Sequence, residues 1–144
     1  MKHITNFRIF ESVEPYPYEF DESENCYSFS DGKNKFEVEF SYISEDDLYD
    51  LKWFLDKNGI YTYDIVNSNI YRLLNTILGK ILRDFIEKND DCRHILIHGM
   101  SKRNEKSEIT QRTNVYYRFL KNNPIYGWDL DRYQNEIYLD KKED

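Results

Sequence analysis

Residues 67–89, NSNIYRLLNTILGKILRDFIEKN, decide the fold. Apolar residues recur in this stretch at intervals of three and four, the spacing that places side chains on one face of an α-helix. They are Ile70, Leu73, Leu74, Ile77, Leu78, Ile81, Leu82, Phe85 and Ile86. The asparagines at its start can cap a helix. Gly79 weakens a helix interior by about 1 kcal/mol, which predicts that a neighbouring strand approaches closely there. The stretch therefore predicts an amphipathic helix packed on a sheet.

The chain before this helix has the pattern of antiparallel strands. CYSFS (26–30) and KFEVEFSYI (35–43) alternate apolar and polar residues, and they flank DGKN, a turn sequence typical of hairpins. SEDDLYD (44–50) is predicted to be a polar, acidic connection. LKWFLD (51–56) and YTYDIV (61–66) follow as further strands joined at an Asn-Gly turn.

The second strand of the hairpin assigns its residues to two faces. Phe36, Val38 and Phe40 point one way, while Glu37 and Glu39 point the other way, because side chains alternate along a strand. One face of the sheet is therefore expected to be buried and the other to face water.

The chain after the long helix supplies one more strand, a second helix and a final hairpin. RHILIHGM (93–100) is predicted as a central strand, and SKRNEKSE (101–108) as a polar loop. Ser107 is a candidate N-cap, and the residue before Pro124 is biased out of the helical region, which ends the helix. YGWDLDRY and EIYLD then form two strands joined near QN. The second helix is predicted to pack through Ile109, Arg112, Val115, Tyr116, Phe119 and Leu120.

This order of elements predicts an α+β fold. Its sheet is mostly antiparallel, with one embedded strand–helix–strand unit and two helices packed on it. We expect a single α+β domain over residues 1–144.

Charge is distributed unevenly along the chain, whose net charge is -7. Residues 1–66 contain 6 Lys and Arg against 15 Asp and Glu, which gives -9, and residues 67–144 contain 14 against 12, which gives +2. An acidic surface favours basic partners. Residues 101–123 form a basic strip of six Lys and Arg against two Glu, which could face an anion.

Several classes of site are disfavoured by what the sequence lacks. His94 and His98 would lie about 13 Å apart on a strand, too far to share a metal ion. Cys26 and Cys92 are far apart in the sequence and read as reduced thiols. There is no Gly-x-Ser-x-Gly motif and no glycine-rich phosphate loop. We therefore predict no catalytic, cofactor or metal site.

The sequence also lacks an apolar run long enough to span a membrane, and it lacks a signal peptide. A cytoplasmic protein is expected on these grounds.

The stretch QRTNVYYRFL carries a resemblance to a protein family. Arg112, Tyr116 and Arg118 resemble, in order and spacing, the Arg-x-x-Leu-Tyr-x-Arg-Leu signature of short uncharacterised proteins of tailed bacteriophages and mobile elements. The resemblance covers residues 64–139 and includes the step NTIL at residues 75–78. It implies a protein of phage or mobile-element type, which would reside in the host cytoplasm.

The predicted order of elements is also similar to the second half of acetyltransferases of the GNAT type. Tyr116, Tyr117 and the Gly127-Trp128 pair stand about where that family has a Tyr followed by Gly-Phe. The resemblance implies acyl transfer from acetyl-CoA. That family holds the coenzyme pyrophosphate on the backbone N–H groups of a glycine-containing loop at a helix N-terminus, and IVNSNIYR (65–72) contains no glycine.

The leading hypothesis is a non-catalytic protein that binds a basic host or defence protein through its acidic surface, as an inhibitor, immunity protein or antitoxin does. One alternative is a GNAT-like acyltransferase with a degenerate cofactor loop. Another is a nucleic-acid-binding module that uses the basic strip. Arg112 either pairs with a structural carboxylate or contacts a partner. The candidate interaction residues are Glu37, Glu39, Asp46, Asp47, Arg112, Arg118 and Lys121.

Overall fold

The computed structural model describes residues 14–57, 60–62, 70–99 and 106–143. The strands in these segments are β1 (Tyr18–Asp21), β2 (Cys26–Ser30), β3 (Lys35–Ile43), β4 (Leu48–Lys57), β5 (Ile60–Thr62), β6 (His94–His98), β7 (Trp128–Tyr133) and β8 (Glu136–Lys141). Helix α1 covers residues 70–88 as three consecutive segments, Ile70–Leu74, Asn75–Ile81 and Leu82–Lys88. Helix α2 is Lys106–Asn122.

The described strands form one mixed sheet in the order β1-β2-β3-β4-β6-β8-β7, with β5 also paired to β4. Strands β4 and β6 are parallel, and the other pairs are antiparallel. Helix α1 lies between these two parallel strands in the sequence. The predicted α+β fold with an embedded strand–helix–strand unit is therefore confirmed.

The hairpin of β2 and β3 forms where the sequence predicted it. Asp31 accepts hydrogen bonds through Oδ1 from the backbone N–H groups of Lys33 at 2.9 Å and Asn34 at 2.7 Å. Gly32 adopts a φ of 96°, which favours glycine. The register pairs Phe29 with Phe36, and the two rings stack with centroids 4.9 Å apart.

Strand β4 begins earlier than the sequence analysis predicted. The first three of its residues, Leu48, Tyr49 and Asp50, belong to the stretch predicted as an acidic connection. They pair with Ser41, Tyr42 and Ile43 of β3, which leaves only a short turn between the two strands. Asp47 in this turn has a φ of 50° and accepts a hydrogen bond from the hydroxyl of Tyr42 at 2.8 Å.

Helix α1 packs its apolar face on the sheet, as predicted. Phe85 stacks on Phe40 with ring centroids 3.8 Å apart, and it meets Tyr49 edge-on at 5.0 Å. At the edge of this contact the hydroxyl of Tyr27 donates to Oδ2 of Asp84 at 2.9 Å. The predicted capping residues 67–69 lie outside the described residues.

Two features of α1 differ from the prediction. Residues Asn75–Ile81 are π-helical, which the apolar periodicity did not indicate. The neighbours of Gly79 are Asn75 of its own helix and Phe119 of α2, not a strand as predicted: a Cβ added at this glycine would lie 2.6 Å from Oδ1 of Asn75 and 3.8 Å from the Phe119 ring. A side chain at this position would therefore collide with Asn75 of the same helix, whereas the Phe119 ring would lie at ordinary van der Waals distance.

Helix α2 packs on the same face of the sheet as α1. Tyr116 meets Trp53 edge-on at 4.9 Å, and Phe119 and Leu120 are buried. The helix ends at Asn122, before Pro124, as predicted.

Three residues of α2 lie in positions that were not predicted. Val115 is 40% exposed, although it was predicted to be in the packed face. Thr113, which was not predicted in the packed face, is buried. Its hydroxyl accepts a hydrogen bond from the backbone N–H of Gly99 at 3.1 Å and donates one to the carbonyl of Ile109 at 2.7 Å. Ser107 lies within the helix and does not precede it as a cap.

Arg83 joins the two helices at the end of α2. Its guanidinium donates hydrogen bonds to the carbonyls of Gly79 at 2.8 Å, Asn123 at 3.2 Å and Pro124 at 3.1 Å. Burial lowers the pKa of this guanidinium from its ordinary value. None of the described helices has the combination of length and apolar character needed to cross a membrane.

Candidate functional site

The two faces of the sheet have opposite chemistry. The core face is covered by both described helices and carries the buried aromatic and aliphatic residues. We call the opposite face the acidic face, because the strand registers place nine described carboxylates on it. They are Glu19, Asp21, Glu37, Glu39, Asp50, Asp129, Asp131, Glu136 and Asp140.

Basic groups are few on the acidic face. Its described strands carry two lysines, Lys35 and Lys52, and two histidines, His94 and His98. His94 lies against Asp140, with 2.7 Å between Nδ1 and Oδ1. A third lysine, Lys142, follows β8, and its ammonium is 3.8 Å from Oδ1 of Asp129. Nine carboxylates against these three lysines leave the face negative, which favours the approach of a cationic surface.

Carboxylates of the acidic face contribute to the raised pKa values of two nearby groups, the Cys26 thiol and the Tyr138 hydroxyl. The pKa of the Cys26 thiol is raised first by burial, and then by the negative charges of Glu37 and Glu39. The pKa of Tyr138 is raised first by its hydrogen bond to Glu136 and then by burial, with the charges of Glu136 and Asp46 adding to the effect. The protonated form of Cys26 is therefore favoured mainly by burial, and that of Tyr138 mainly by its hydrogen bond to Glu136.

The predicted acidic interaction residues lie on or beside the acidic face. Glu37 and Glu39 are half-buried in the middle of β3, where Glu37 is opposite Phe54 and Glu39 is opposite Lys52. Asp46 and Asp47 are exposed in the turn between β3 and β4. Glu37 and Glu39 therefore lie on the acidic face itself, and Asp46 and Asp47 lie at the end of the β3–β4 hairpin.

The predicted basic interaction residues lie elsewhere. Arg118 and Lys121 are exposed on α2, in the helical layer on the other side of the sheet from Glu37 and Glu39. Lys121 borders a shallow cavity of about 300 Å³ between α2 and β7. Arg112 is only 7% exposed. The seven predicted residues therefore do not form one site.

Asp50 is a residue of the acidic face that the sequence analysis did not single out. It is 6% exposed, and it lies in β4 where this strand runs parallel to β6. Its Oδ2 is 3.5 Å from Nζ of Lys52, and its Oδ1 is 3.5 Å from Nε2 of His98. Among the described residues, neither Oδ1 of Asp50 nor Nε2 of His98 has a hydrogen-bond partner. A buried carboxylate with an unsatisfied oxygen is unusual and needs a physical explanation.

A signal for Asp50 was present in the sequence. Leu48, Asp50, Lys52 and Phe54 alternate with Tyr49, Leu51, Trp53 and Leu55, which is the period of a strand. The acidic residues before Leu48 led to the prediction of a loop, and the alternation was therefore taken to begin only after Asp50. Extending the pattern backward would have placed Asp50 inside the strand.

The described residues offer little support for metal or thiol chemistry. No group of three or more His, Cys, Asp or Glu side chains among them is arranged to hold a metal ion. Cys26 and Cys92 are both unpaired. Burial, with a smaller effect from the charge of Asp91, raises the pKa of the Cys92 thiol to about 11. This thiol is therefore protonated at neutral pH and is a poor nucleophile.

No family model, curated protein or solved structure matches the chain. The resemblances to phage or mobile-element proteins and to GNAT acetyltransferases therefore stay predictions. The proposed function rests on the geometry and charge of the acidic face.

Proposed function

We propose that this protein binds a basic partner protein through the acidic face of its sheet. The observation that carries the proposal is the concentration of nine described carboxylates on the face opposite to both described helices. A surface of one sign accelerates association with a partner of the opposite sign and suppresses the wrong partners. An inhibitor, immunity protein or antitoxin directed at a basic nucleic-acid-binding protein, of phage or mobile-element type, would use such a face.

The arrangement of the sheet suits this role. Each of the strands β1, β3, β7 and β8 contributes at least two carboxylates, so the charge extends from one edge of the sheet to the other. Strand pairing fixes the spacing of these groups, and the packed core beneath them keeps the backbone rigid. A rigid, preorganised surface loses little conformational entropy on binding.

Co-purification from the native host tests this proposal. The bait proteins are the wild type, a face variant, Glu37→Lys with Glu39→Lys, and a control variant, Asp90→Lys with Asp91→Lys. Both variants change the net charge equally, and the control residues are exposed in the turn after α1. We expect a basic protein to be retained by the wild type and the control and lost by the face variant. Equal retention by the face variant would contradict the proposal.

Acyl transfer is a second candidate, and one observation favours it. The described elements from β4 onward are β4, β5, α1, β6, α2, β7 and β8, and the alternation of strands with two helices in this order supports the candidate. Asp50 and His98 place two ionisable groups at the pairing of β4 with β6. Titration calorimetry with acetyl-CoA distinguishes the candidates: the binding function predicts no heat at millimolar ligand, and micromolar affinity would favour the acyltransferase.

Nucleic-acid binding through residues 101–123 receives less support. Of the basic side chains in the described part of this strip, Arg112 is buried, while Lys106, Arg118 and Lys121 are exposed. Three exposed cations supply only a weak contact with a phosphate backbone. The nine carboxylates on the other side of the sheet would repel a long polyanion.

A further inference from the structure

Strand β7 is the last strand at one end of the described sheet, so one of its backbone edges faces away from β8. Gly127, just before β7, accepts a hydrogen bond through its carbonyl from the backbone N–H of Lys142 at 2.8 Å, which directs Gly127 toward the β8 side. Backbone groups point to alternate sides along an antiparallel strand. Those of Trp128, Leu130 and Arg132 therefore point to the other side, which we call the outer edge of β7.

Two of these three outward N–H groups form hydrogen bonds close to the strand itself. The N–H of Trp128 donates to the carbonyl of Ile125 at 3.1 Å, and the N–H of Arg132 donates to Oδ1 of Asp131 at 3.0 Å. Both bonds agree with the outward direction of these groups. Leu130 lies between them at the centre of the outer edge. An antiparallel strand added here would exchange a pair of backbone hydrogen bonds with Leu130.

An apolar cavity of about 300 Å³ lies beside this edge, between α2 and β7. Its lining includes Tyr117, Leu120, Ile125, Trp128 and Leu130. On an added strand, the side chain directly opposite Leu130 would point to the same face of the sheet as Leu130, because paired residues share a face. An apolar side chain at that position would therefore lie at the cavity.

The other face of β7 carries exposed carboxylates. Asp129 and Asp131 stand on either side of Leu130 and belong to the acidic face. The ammonium of Lys142 is 3.8 Å from Oδ1 of Asp129, and both side chains are more than half exposed, so this ion pair is weak. On an added strand, the residues before and after the apolar one would lie opposite Asp129 and Asp131. Opposite charges at such positions stabilise strand pairing, which favours a cation at each.

The same carboxylates disfavour a second copy of this chain as the added strand. Antiparallel pairing of two β7 strands, centred on Leu130, would place Asp129 of each copy opposite Asp131 of the other. Like charges directly opposite each other destabilise a strand pair. Charged side chains on an edge strand protect proteins from edge-to-edge association in this way. The charge of the outer edge therefore selects a basic strand.

We propose that the outer edge of β7 binds an extended segment of the basic partner by antiparallel strand addition, with an apolar side chain at the cavity and a Lys or Arg on either side of it. This inference rests on the proposed function and adds to it the conformation of the bound segment and the place where it binds. Backbone hydrogen bonds to β7 supply affinity, and the alternation of basic and apolar side chains supplies specificity.

Titration calorimetry with three forms of one synthetic peptide, acetyl-Lys-Leu-Lys-Leu-Lys-Leu-Lys-amide, tests this site. The first form is unmodified, the second is N-methylated at its three leucines, and the third is N-methylated at its last three lysines. All carry the same charge, so attraction to the acidic face contributes similarly to each. In the proposed pairing the leucine N–H groups point to β7 and the lysine N–H groups point away. We expect methylation of the leucines to weaken binding at least about tenfold, and methylation of the lysines to weaken it less than about threefold.

Hydrogen exchange measured by NMR locates the bound peptide. The unmodified peptide should slow the exchange of the Leu130 amide proton, because this N–H gains a hydrogen bond. The amides of β1, at the opposite end of the described sheet, should keep their exchange rates.

A pair of charge variants tests the basic positions of the bound strand. Asp129→Asn with Asp131→Asn should weaken the unmodified peptide about tenfold. Asparagine keeps an acceptor oxygen for the N–H of Arg132, so the strand itself is preserved. The matched control, Asp90→Asn with Asp91→Asn, removes the same charge from the turn after α1 and should bind nearly as the wild type does.

The outcomes separate the failure of this inference from that of the proposed function. Equal effects of the two N-methylations, unchanged exchange at Leu130, equal effects of the two pairs of charge variants, or no binding of the unmodified peptide would each overturn strand addition at β7. The proposed function would stand in each case if the face variant, Glu37→Lys with Glu39→Lys, still loses the host partner that the wild type retains. Equal retention of that partner by the face variant would overturn the proposed function as well.

Discussion

Oδ1 of Asp50 and Nε2 of His98 lie 3.5 Å apart across the parallel pair of β4 and β6. Both atoms are buried, and neither forms a hydrogen bond within the described part of the chain. The sheet thus holds a carboxylate and an imidazole at ion-pair distance, longer than an ordinary hydrogen bond.

Replacing the Asp50 carboxylate should therefore cost the fold little. We expect Asp50→Asn to leave the free energy of unfolding within about 1 kcal/mol of the wild type, or to raise it, because a poorly paired buried charge is removed. Asp84→Asn is the matched control. Its carboxylate is satisfied by Tyr27 and Lys88, both at 2.9 Å, and its loss should lower stability by about 1 kcal/mol. Urea denaturation measures both. A loss of more than about 2 kcal/mol in Asp50→Asn would mean that Asp50 is a structural residue.

Phe119 should be essential to the packing of α2. It is 4% exposed and reaches α1 beside Gly79, so Phe119→Ala should lower the free energy of unfolding by about 3 to 5 kcal/mol. Val115→Ala, on the exposed side of the same helix, should change it by less than about 0.5 kcal/mol. Thermal and urea unfolding of the two variants give the comparison. Similar losses in both would show that the side of α2 facing the sheet is wrongly assigned.

Arg112 and Arg118 should respond differently to truncation, although they occupy one helix. Arg112 is buried, so Arg112→Ala should lower the free energy of unfolding by about 1 to 3 kcal/mol through lost packing and polar interactions. Arg118 is exposed, and Arg118→Ala should stay within about 0.5 kcal/mol of the wild type. An Arg112→Ala protein with wild-type stability and impaired partner binding would instead assign Arg112 to a binding site.

Stability should fall at alkaline pH. Burial raises the pKa of Cys92 from 9.0 to about 11 and that of Tyr116 from 10.0 to about 12. For each group, the first value is the pKa in the unfolded chain and the second is the pKa in the folded protein. At a pH between the two, the group is protonated in the folded protein and ionised in the unfolded chain. The contribution of each group is therefore complete below its unfolded pKa and disappears as pH rises through its folded pKa. Urea denaturation from pH 8 to about 11 should show a decline that becomes shallower in Cys92→Ala and in Tyr116→Phe. If neither substitution alters the decline, the loss of stability at alkaline pH comes from other ionisable groups.

Local sequence signals predicted the elements that depend on local chemistry. The Asp-Gly turn and the alternation in residues 35–43 predicted the hairpin and the two faces of β3. The apolar period of three and four predicted α1, and Pro124 predicted the end of α2. These signals are reliable because turn geometry and helix period are set within a few residues.

Features that depend on contacts between distant residues were missed. Thr113 is buried because its hydroxyl meets the N–H of Gly99, 14 residues earlier in the chain, and nothing near Thr113 in the sequence indicates this. The pairing of Asp50 with His98 depends on the parallel alignment of β4 and β6, which is set by the whole sheet. The π-helical segment of α1 is likewise not visible in the apolar period.

The association rate with the co-purified partner, measured by stopped flow at a series of salt concentrations, tests the central claim most directly. The account predicts that the face variant, Glu37→Lys with Glu39→Lys, associates at least about tenfold more slowly than the wild type at low salt and depends less steeply on salt. The control variant, Asp90→Lys with Asp91→Lys, should stay close to the wild type in both respects. An association rate and salt dependence that are the same in the face variant and the wild type would contradict the claim that the acidic face binds the partner.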